Sequence, residues 1–453
     1  MDSDELARHL GAIVGEAIGR PVEVRALQRL PGGASKNTSS FSIVDERGAE
    51  ERLILRSDRS GPTGTGLAVE RDLFTAALGA GVPVPRVLAS GDENGPLGAA
   101  YLVLELIDGE TIARRILRDD RFSDARATMA RQCGRILAAI HSIDLAEVPG
   151  LGTTEPLPQA RAQLAQLGEP HPAFELGISW LEENQPEQAA STLVHGDFRL
   201  GNLIVGEDGV RAVLDWELAH QGDPVEDLAW LCVRAWRFGG AEPVGGFGQI
   251  DDLLEGYREG SGVAVDRRAL DWWIAFGTLH WGIICIAQAA THLSGVFRSV
   301  ELAAIGRRVC EVESDLAELL PWGELRDLPA SVSGPLSRPN PPHDAPSAAQ
   351  LLEAVGEFLS ADALGATEGR VQFHVRVAAN VVAMVRREIE LGPAMARAQA
   401  ERLERLGVAS DAELAEAIRS GRMDDRRDEV ADAVRATVAD KLAVANPHYR
   451  AAP

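Results

Sequence analysis

Cysteine is scarce and scattered in this chain. Its four residues, Cys133, Cys232, Cys285 and Cys310, form no CxxC pair and have no histidine at ligand spacing. That excludes a disulfide framework and a zinc knuckle, and leaves isolated buried thiols in a reducing, cytoplasmic compartment as the reading. An excess of positive charge is also missing: 45 Lys and Arg stand against 68 Asp and Glu, a net charge of −23. A nucleic-acid backbone is therefore not an expected partner, because affinity for it comes mainly from clustered cations. The opening stretch MDSDELARHLGAIVGEAIGR lacks the basic start and apolar core of a signal peptide. One run, Trp272 to Ala290, has no Asp, Glu, Lys or Arg. Its marginal length, its lack of basic flanks and the presence of His280 and Gln288 point to a buried helix of a larger lobe, with no membrane contact.

What is present is a dense polar run from Leu193 to Trp230, LVHGDFRLGNLIVGEDGVRAVLDWELAHQGDPVEDLAW. Two short apolar segments, Leu203 to Val205 and Ala212 to Leu214, flank a Glu-Asp-Gly turn and read as a β-hairpin. A hairpin brings its ends together, so Asn202 and Asp215 should lie side by side. One neutral and one anionic oxygen ligand in that arrangement suit Mg²⁺, which prefers hard oxygens and fills its other positions with water and phosphate. Asp197 precedes them on a loop, close enough to orient a hydroxyl or take its proton.

HGDFRLGN followed by the LDWE segment resembles the catalytic and metal-binding loops of the aminoglycoside phosphotransferase and choline kinase-like family. The spacing matches the mechanics of a kinase catalytic loop and its metal-binding Asp. The resemblance implies an α+β, bilobal protein-kinase-like fold with a small antiparallel-sheet N-lobe and a mainly helical C-lobe. It implies Asp197 as catalytic base, Asn202 and Asp215 as Mg²⁺ ligands, and ATP as donor, with GTP left open. PGGASKNTSS is then the loop over the phosphates, with Gly32 and Gly33 permitting close backbone approach and Ser35, Asn37 and Thr38 adding polar contacts. The third strand offers Arg56 as the phosphate cation, held by Glu70 of AVERDLFTAAL. The family more often has Lys there; Arg grips phosphate with a planar fork and different geometry. Main-chain groups of Glu105 and Ile107 fall at the hinge that meets the adenine.

Elsewhere the pattern places a helix at 4–18, strands at 22–30, 52–56, 84–89 and 101–106, and helices at 125–143, 174–184, 227–235, 250–260, 267–290 and 302–320. His141 is read as meeting helix-terminal carbonyls. Residues 146–170, rich in Pro, Gly and Gln, read as a surface excursion. Asp227 is expected to fix the catalytic loop through hydrogen bonds; Glu217 either orients the metal shell, meets the substrate or faces solvent, and Asp223 is left without a role. Six prolines between Leu328 and Ser347 mark a linker. The domains are thus drawn as 1–107 (N-lobe), 108–327 (C-lobe), 328–346 (linker) and 347–453, a separate all-α domain. In that tail Ser347 and Gln350 form a capping-box pattern, 371–391 is the longest helix, and His374, Arg376, Asn380 and Glu388 read as a buried polar network. The tail is similar to a helical domain of unknown function that accompanies some of these phosphotransferases.

The expected activity is Mg²⁺-dependent transfer of the ATP γ-phosphoryl group to the hydroxyl of a small molecule. LPGGASKNT, LILRSD and HGDFRLGNLIV running into LDWELAHQGDP are similar to relatives fused to or accompanying acyl-CoA dehydrogenases, which implies a hydroxyacyl-type metabolite, with an aminoglycoside second. The alternative is a catalytically silent nucleotide-binding scaffold whose helical tail binds a protein partner or a second copy.

Overall fold

A computed structural model describes residues 2–30, 36–58, 66–321 and 346–449. They form two compact units, Met1–Thr154 with Pro186–Ile274, and Glu155–Gln185 with Ala275–Pro453. Their bounds differ from those of the lobes, linker and tail domain drawn from the sequence.

The first unit begins with α1 (Ser3–Ile18), whose N-cap Asp2 accepts the Glu5 amide at 2.8 Å and which ends at Gly19 with φ 71°. Strands β1 (Val22–Arg29), β2 (Lys36–Asp45) and β3 (Glu50–Asp58) follow, then α2 (Leu67–Gly79), β4 (Val87–Gly91) and β5 (Tyr101–Glu105). They make one five-stranded antiparallel sheet in the order β1-β2-β3-β5-β4. β4 starts after Pro85, not at Val84, since proline has no N–H for the ladder. Alternate residues Phe41 and Ile43, Leu53 and Leu55, Tyr101 and Val103 share one face and bury Leu10 and Val14 of α1. The same period turns Ile54 and Arg56 to the opposite face.

Beyond β5 the chain is pinned at once. The Glu110 amide donates to the Val205 carbonyl at 2.9 Å and the Val205 amide donates back at 3.0 Å. Gly109 is required here, because a Cβ would collide with Ile204 and Val205. α3 (Ala113–Arg118) and α4 (Ser123–His141) come next. The chain then passes through α5 (Pro156–Leu167) and α6 (Pro172–Glu183) of the second unit and returns with β6 (Thr192–Val194), β7 (Leu203–Gly206), β8 (Gly209–Val213), β9 (His220–Gly222), α7 (Val225–Trp230) and α8 (Ile250–Ser261). β7 and β8 form the expected hairpin, and β6 pairs with β9. α4 and α8 touch backbone to backbone: a Cβ at Gly134 would strike the Leu253 carbonyl, and one at Gly256 the Arg131 carbonyl.

The second unit holds α5, α6, the later part of α9 (Arg267–Leu293), α10 (Val300–Gly306), α11 (Val309–Leu319), α12 (Ala348–Phe358), α13 (Gly369–Leu406), α14 (Asp411–Arg419) and α15 (Arg427–Ala445). Three expectations are corrected here. Residues 146–170 contain a real helix, α5, started by Pro156 and closed by Gly168 with φ 73°. The span 302–320 is two helices, broken at Arg307 and Arg308. In α13, Arg376 and Asn380 are exposed and Glu388 pairs with Arg307 at 2.6 Å, so they build no buried network. The capping box is present: the Ser347 amide donates to Gln350 Oε1 at 2.8 Å, and the Gln350 amide to Ser347 Oγ at 3.3 Å. Among the described residues, α9 is the one helix long and apolar enough to cross a membrane, and 61% of its apolar window is buried within the protein.

Candidate active site

The hairpin does what its length demands. Leu203 pairs with Val213, and the Leu214 amide donates to the Asn202 carbonyl at 2.9 Å, which sets Asn202 and Asp215 at adjoining strand ends. Asp215 has φ 67° and ψ 61°, a left-handed conformation that Asp tolerates better than most side chains and that recurs at functional sites. Its carboxylate is 41% exposed. Glu217 sits in the 3-10 turn Trp216–Leu218 just after it.

Asp197 reaches the same place from the loop after β6. Asn202 Nδ2 donates to its Oδ2 at 2.6 Å and to its main-chain oxygen at 2.9 Å. This fixes the orientation of the Asn202 amide and leaves Oδ1 as its acceptor atom. Two further donors hold Asp197 Oδ1, Arg199 Nε at 2.8 Å and Trp230 Nε1 at 2.9 Å. The Arg199 guanidinium lies over the Trp236 ring at 4.6 Å, a cation–π contact, and Trp236 packs on Trp230 with centroids 5.2 Å apart.

The loop is braced from below by buried polar groups. Asp227 accepts the His195 amide at 2.8 Å and the Gly196 amide at 3.0 Å, as its place in EDLAW led us to expect. Burial favours the neutral acid, yet the His141 bond, His195 and these amides more than offset it and hold the carboxyl below its ordinary range. His141 does not meet helix-terminal carbonyls: Nε2 lies 3.1 Å from Asp227 Oδ2 and Nδ1 lies 3.1 Å from the Tyr257 hydroxyl. Both ring nitrogens of His141 are thus engaged, and burial pushes the pKa of the tyrosine up to about 12. His195 is a second strut. Nε2 faces the Leu214 carbonyl at 3.1 Å and Nδ1 accepts the Asp197 amide at 3.2 Å, so one neutral tautomer ties the loop to the residue before Asp215. Burial lowers its pKa, in accord with that tautomer.

Asp223 is structural, since it accepts the Ala189 and Val225 amides at 2.9 Å each and starts α7. His220 faces the Leu218 carbonyl through Nδ1 (2.9 Å) and Glu226 through Nε2 (3.3 Å). Burial opposes its charge, but the Glu226 bond, that carboxylate's field and the Leu218 carbonyl raise it to about 9. Burial pushes the Glu226 carboxyl up in turn. With both imidazole nitrogens facing acceptors, the pair is an imidazolium and a carboxylate at neutral pH.

From the sheet, Arg56 pairs with the fully buried Glu70 of α2, and its second amino group lies 3.8 Å from Asp215 Oδ1. The structure thus brings Arg56, Glu70, Asp197, Asn202 and Asp215 together. Gly32, Gly33 and Ser35 lie outside the described residues. Asn37 accepts Arg29 at 2.6 Å, and Thr38 pairs with Arg56 across β2 and β3. At the expected hinge, the Glu105 amide donates to the Arg86 carbonyl (3.0 Å), the Leu106 amide to the Arg52 carbonyl (3.2 Å), and the Glu105 carboxylate meets Arg86 at 3.0 Å. Among the described residues no cluster of three or more His, Cys, Asp or Glu is arranged to hold a metal; what the hairpin offers is an amide and a carboxylate oxygen. Sequence reasoning missed Arg199, Trp230 and Tyr257. Arg199 stands two places after Asp197, whereas nothing in the sequence marks the other two.

The family model described as "Phosphotransferase enzyme family" matches residues 26–273. A second, described as "Domain of unknown function (DUF6285)", matches residues 365–449. Acyl-CoA dehydrogenase family member 10 of Mus musculus is 30% identical over 251 residues, 51% of this chain and 22% of that protein. A probable acyl-CoA dehydrogenase of Arabidopsis thaliana is 29% identical over 45% of this chain and 27% of its own length. The chain therefore aligns with only about a quarter of each of these curated relatives. Among solved structures, a putative aminoglycoside phosphotransferase from Ralstonia eutropha superposes with a TM-score of 0.56 at 21% identity, covering 70% of this chain and 98% of that one. A spectinomycin phosphotransferase in complex with ADP and spectinomycin gives 0.50 at 15%, covering 71% and 99%. At such identities the two structures speak for the fold.

Proposed function

We propose, from the premise that the chain belongs to the phosphotransferase enzyme family, that its first unit transfers the γ-phosphoryl group of ATP to a hydroxyl of a small molecule. The observation that carries this is the convergence of Asp197, Asn202 and Asp215 on one hairpin, with the Arg56–Glu70 pair reaching Asp215 from the sheet. Asp197 orients the acceptor hydroxyl and takes its proton. Arg56, held by Glu70, binds phosphate oxygens through its planar fork of N–H donors. Main-chain groups of Glu105 and Ile107 meet the adenine edge. Asn202 Oδ1 and the Asp215 carboxylate are hard oxygens that fit Mg²⁺, which when bound neutralises phosphate charge.

The acceptor we infer is a hydroxyacyl-type metabolite. Two curated relatives are named as acyl-CoA dehydrogenase family members, which supports an acyl-borne hydroxyl. Arg199, stacked beside Asp197, suits an anionic acceptor better than a polycationic aminoglycoside, the second choice. Four free, buried cysteines support a reducing, cytoplasmic setting.

One observation favours the rival, a nucleotide-binding scaffold without turnover: three donors already occupy the Asp197 carboxylate, and Arg stands where Lys is usual. ATP consumption against a panel of hydroxylated acyl compounds and aminoglycosides separates the two, with thermal shift in Mg-ATP as the binding control. Turnover that disappears in Asp197→Ala while the shift persists supports the enzyme. A shift with no turnover on any acceptor supports the scaffold.

A further inference from the structure

The tail, which matches only a domain of unknown function, is fastened to its unit by a specific set of bonds. α11 turns three acids inward, Glu311, Glu313 and Asp315, all buried. Each is met from the end of the chain. Asn446 Nδ2 donates to Glu311 Oε1 at 2.9 Å, Lys441 Nζ reaches both Glu313 oxygens at 3.0 Å, and the Tyr449 hydroxyl donates to Asp315 Oδ2 at 2.7 Å. α6 repeats the pattern. Arg419 donates to the buried Glu175 at 2.6 Å, and Arg427 forks onto Glu183 with one arm at 2.9 Å. Between the two rows the tail's apolar core, built on Leu406, Leu414, Val434 and Leu442, closes over Ala173 of α6 and Cys310 of α11.

We infer that residues 346–449 are a charge-keyed docking module whose partner is the acidic α6–α11 face of the same chain, held there by that key and the shared core and not by the proline-rich connection. Apolar burial supplies affinity without direction, and paired charges supply register and reject wrong partners. On α6 and α11 the key has one sign, with the acids on those helices and the cations Arg419, Arg427 and Lys441 on the tail; Arg307–Glu388, just before α11, runs the other way. Lys441 is one of only two lysines in the chain. A flexible ammonium there answers both oxygens of one carboxylate and leaves the other side of Glu313 to His171 Nδ1, at 3.1 Å. The inference is independent of the acceptor and of turnover.

The test is to place a protease site within residues 328–346, cut the purified full-length chain and follow the two pieces by gel filtration at low and high salt. The nicked protein is expected to run as one 1:1 complex at low salt and to loosen at high salt. Nicked K441E, which sets a second carboxylate against Glu313, is expected to separate. Should K441E fail to fold, the exposed pair decides: R427E alone weakens co-elution and E183R added to it restores it. Separation of the nicked unmutated chain at low salt overturns the inference, as does an E183R/R427E protein no better than R427E.

Discussion

The two units bury carboxylates to opposite ends. In the second, Glu313 is 1% exposed with a lysine and a histidine on its oxygens, and the acid serves only to hold helices together. In the first, Asp197 is held by three donors yet keeps 14% exposure, and Asp215, with Arg56 at 3.8 Å, keeps 41%. An acid that must meet a substrate is oriented by donors on its flank and left open in front. Asp227 shows both rules one layer apart: fully buried itself, it spends its oxygens on the loop that presents Asp197.

That contrast can be broken in order of expected effect. Asp197→Ala should lower kcat by about 10²–10⁴-fold, the range for a positioned acid or base, with ATP binding retained, as read by steady-state kinetics and thermal shift. Asp227→Ala should act on stability first. It strips two amides and His141 of their acceptor, and urea unfolding should show a loss of about 3 kcal/mol, the scale for breaking a buried charged contact. Trp230→Phe keeps an aromatic side chain but replaces the indole with a smaller phenyl and removes the donor to Asp197 Oδ1. It should cost about tenfold in kcat, the worth of one such hydrogen bond, with ATP binding retained by thermal shift. A further effect is that of pH on His220. Its folded pKa, about 9, lies above an unfolded value of about 6.5. The folded state therefore binds more protons in that window, and its extra stability is complete below about 6.5 and fades as pH rises through 9. Melting curves of His220→Gln and the unmutated protein should differ at pH 6 and converge above pH 9.

Family and fold were legible because their signals are local. The hairpin follows from two apolar segments and a turn, and the Arg56–Glu70 pair from the resemblance, which asks for a cation on the third strand and an acid on the next helix. Even the departure from Lys at position 56 fits a chain in which two of the 45 basic residues are lysine. What stayed hidden depends on contacts between distant residues. Trp230 is 33 positions from Asp197, and Tyr257 is 116 from His141. Neither leaves a periodic trace. α5 was concealed by proline and glutamine, although proline at a helix start and glycine at its end are ordinary punctuation. The acids of α11 meet partners more than a hundred positions away, Lys441, Asn446 and Tyr449.

The glycine contact between α4 and α8 has a mechanical side. Gly134 and Gly256 act as a spacer of zero thickness, and the residue after Gly256 is Tyr257, first in the relay through His141 and Asp227 to the loop at His195 and Gly196. A single methyl at Gly256 would open the helix pair as a shim opens a joint, and the gap would appear as lost hydrogen bonding beneath the aspartate loop. The tightness of one helix crossing thereby calibrates the position of a carboxylate it never touches.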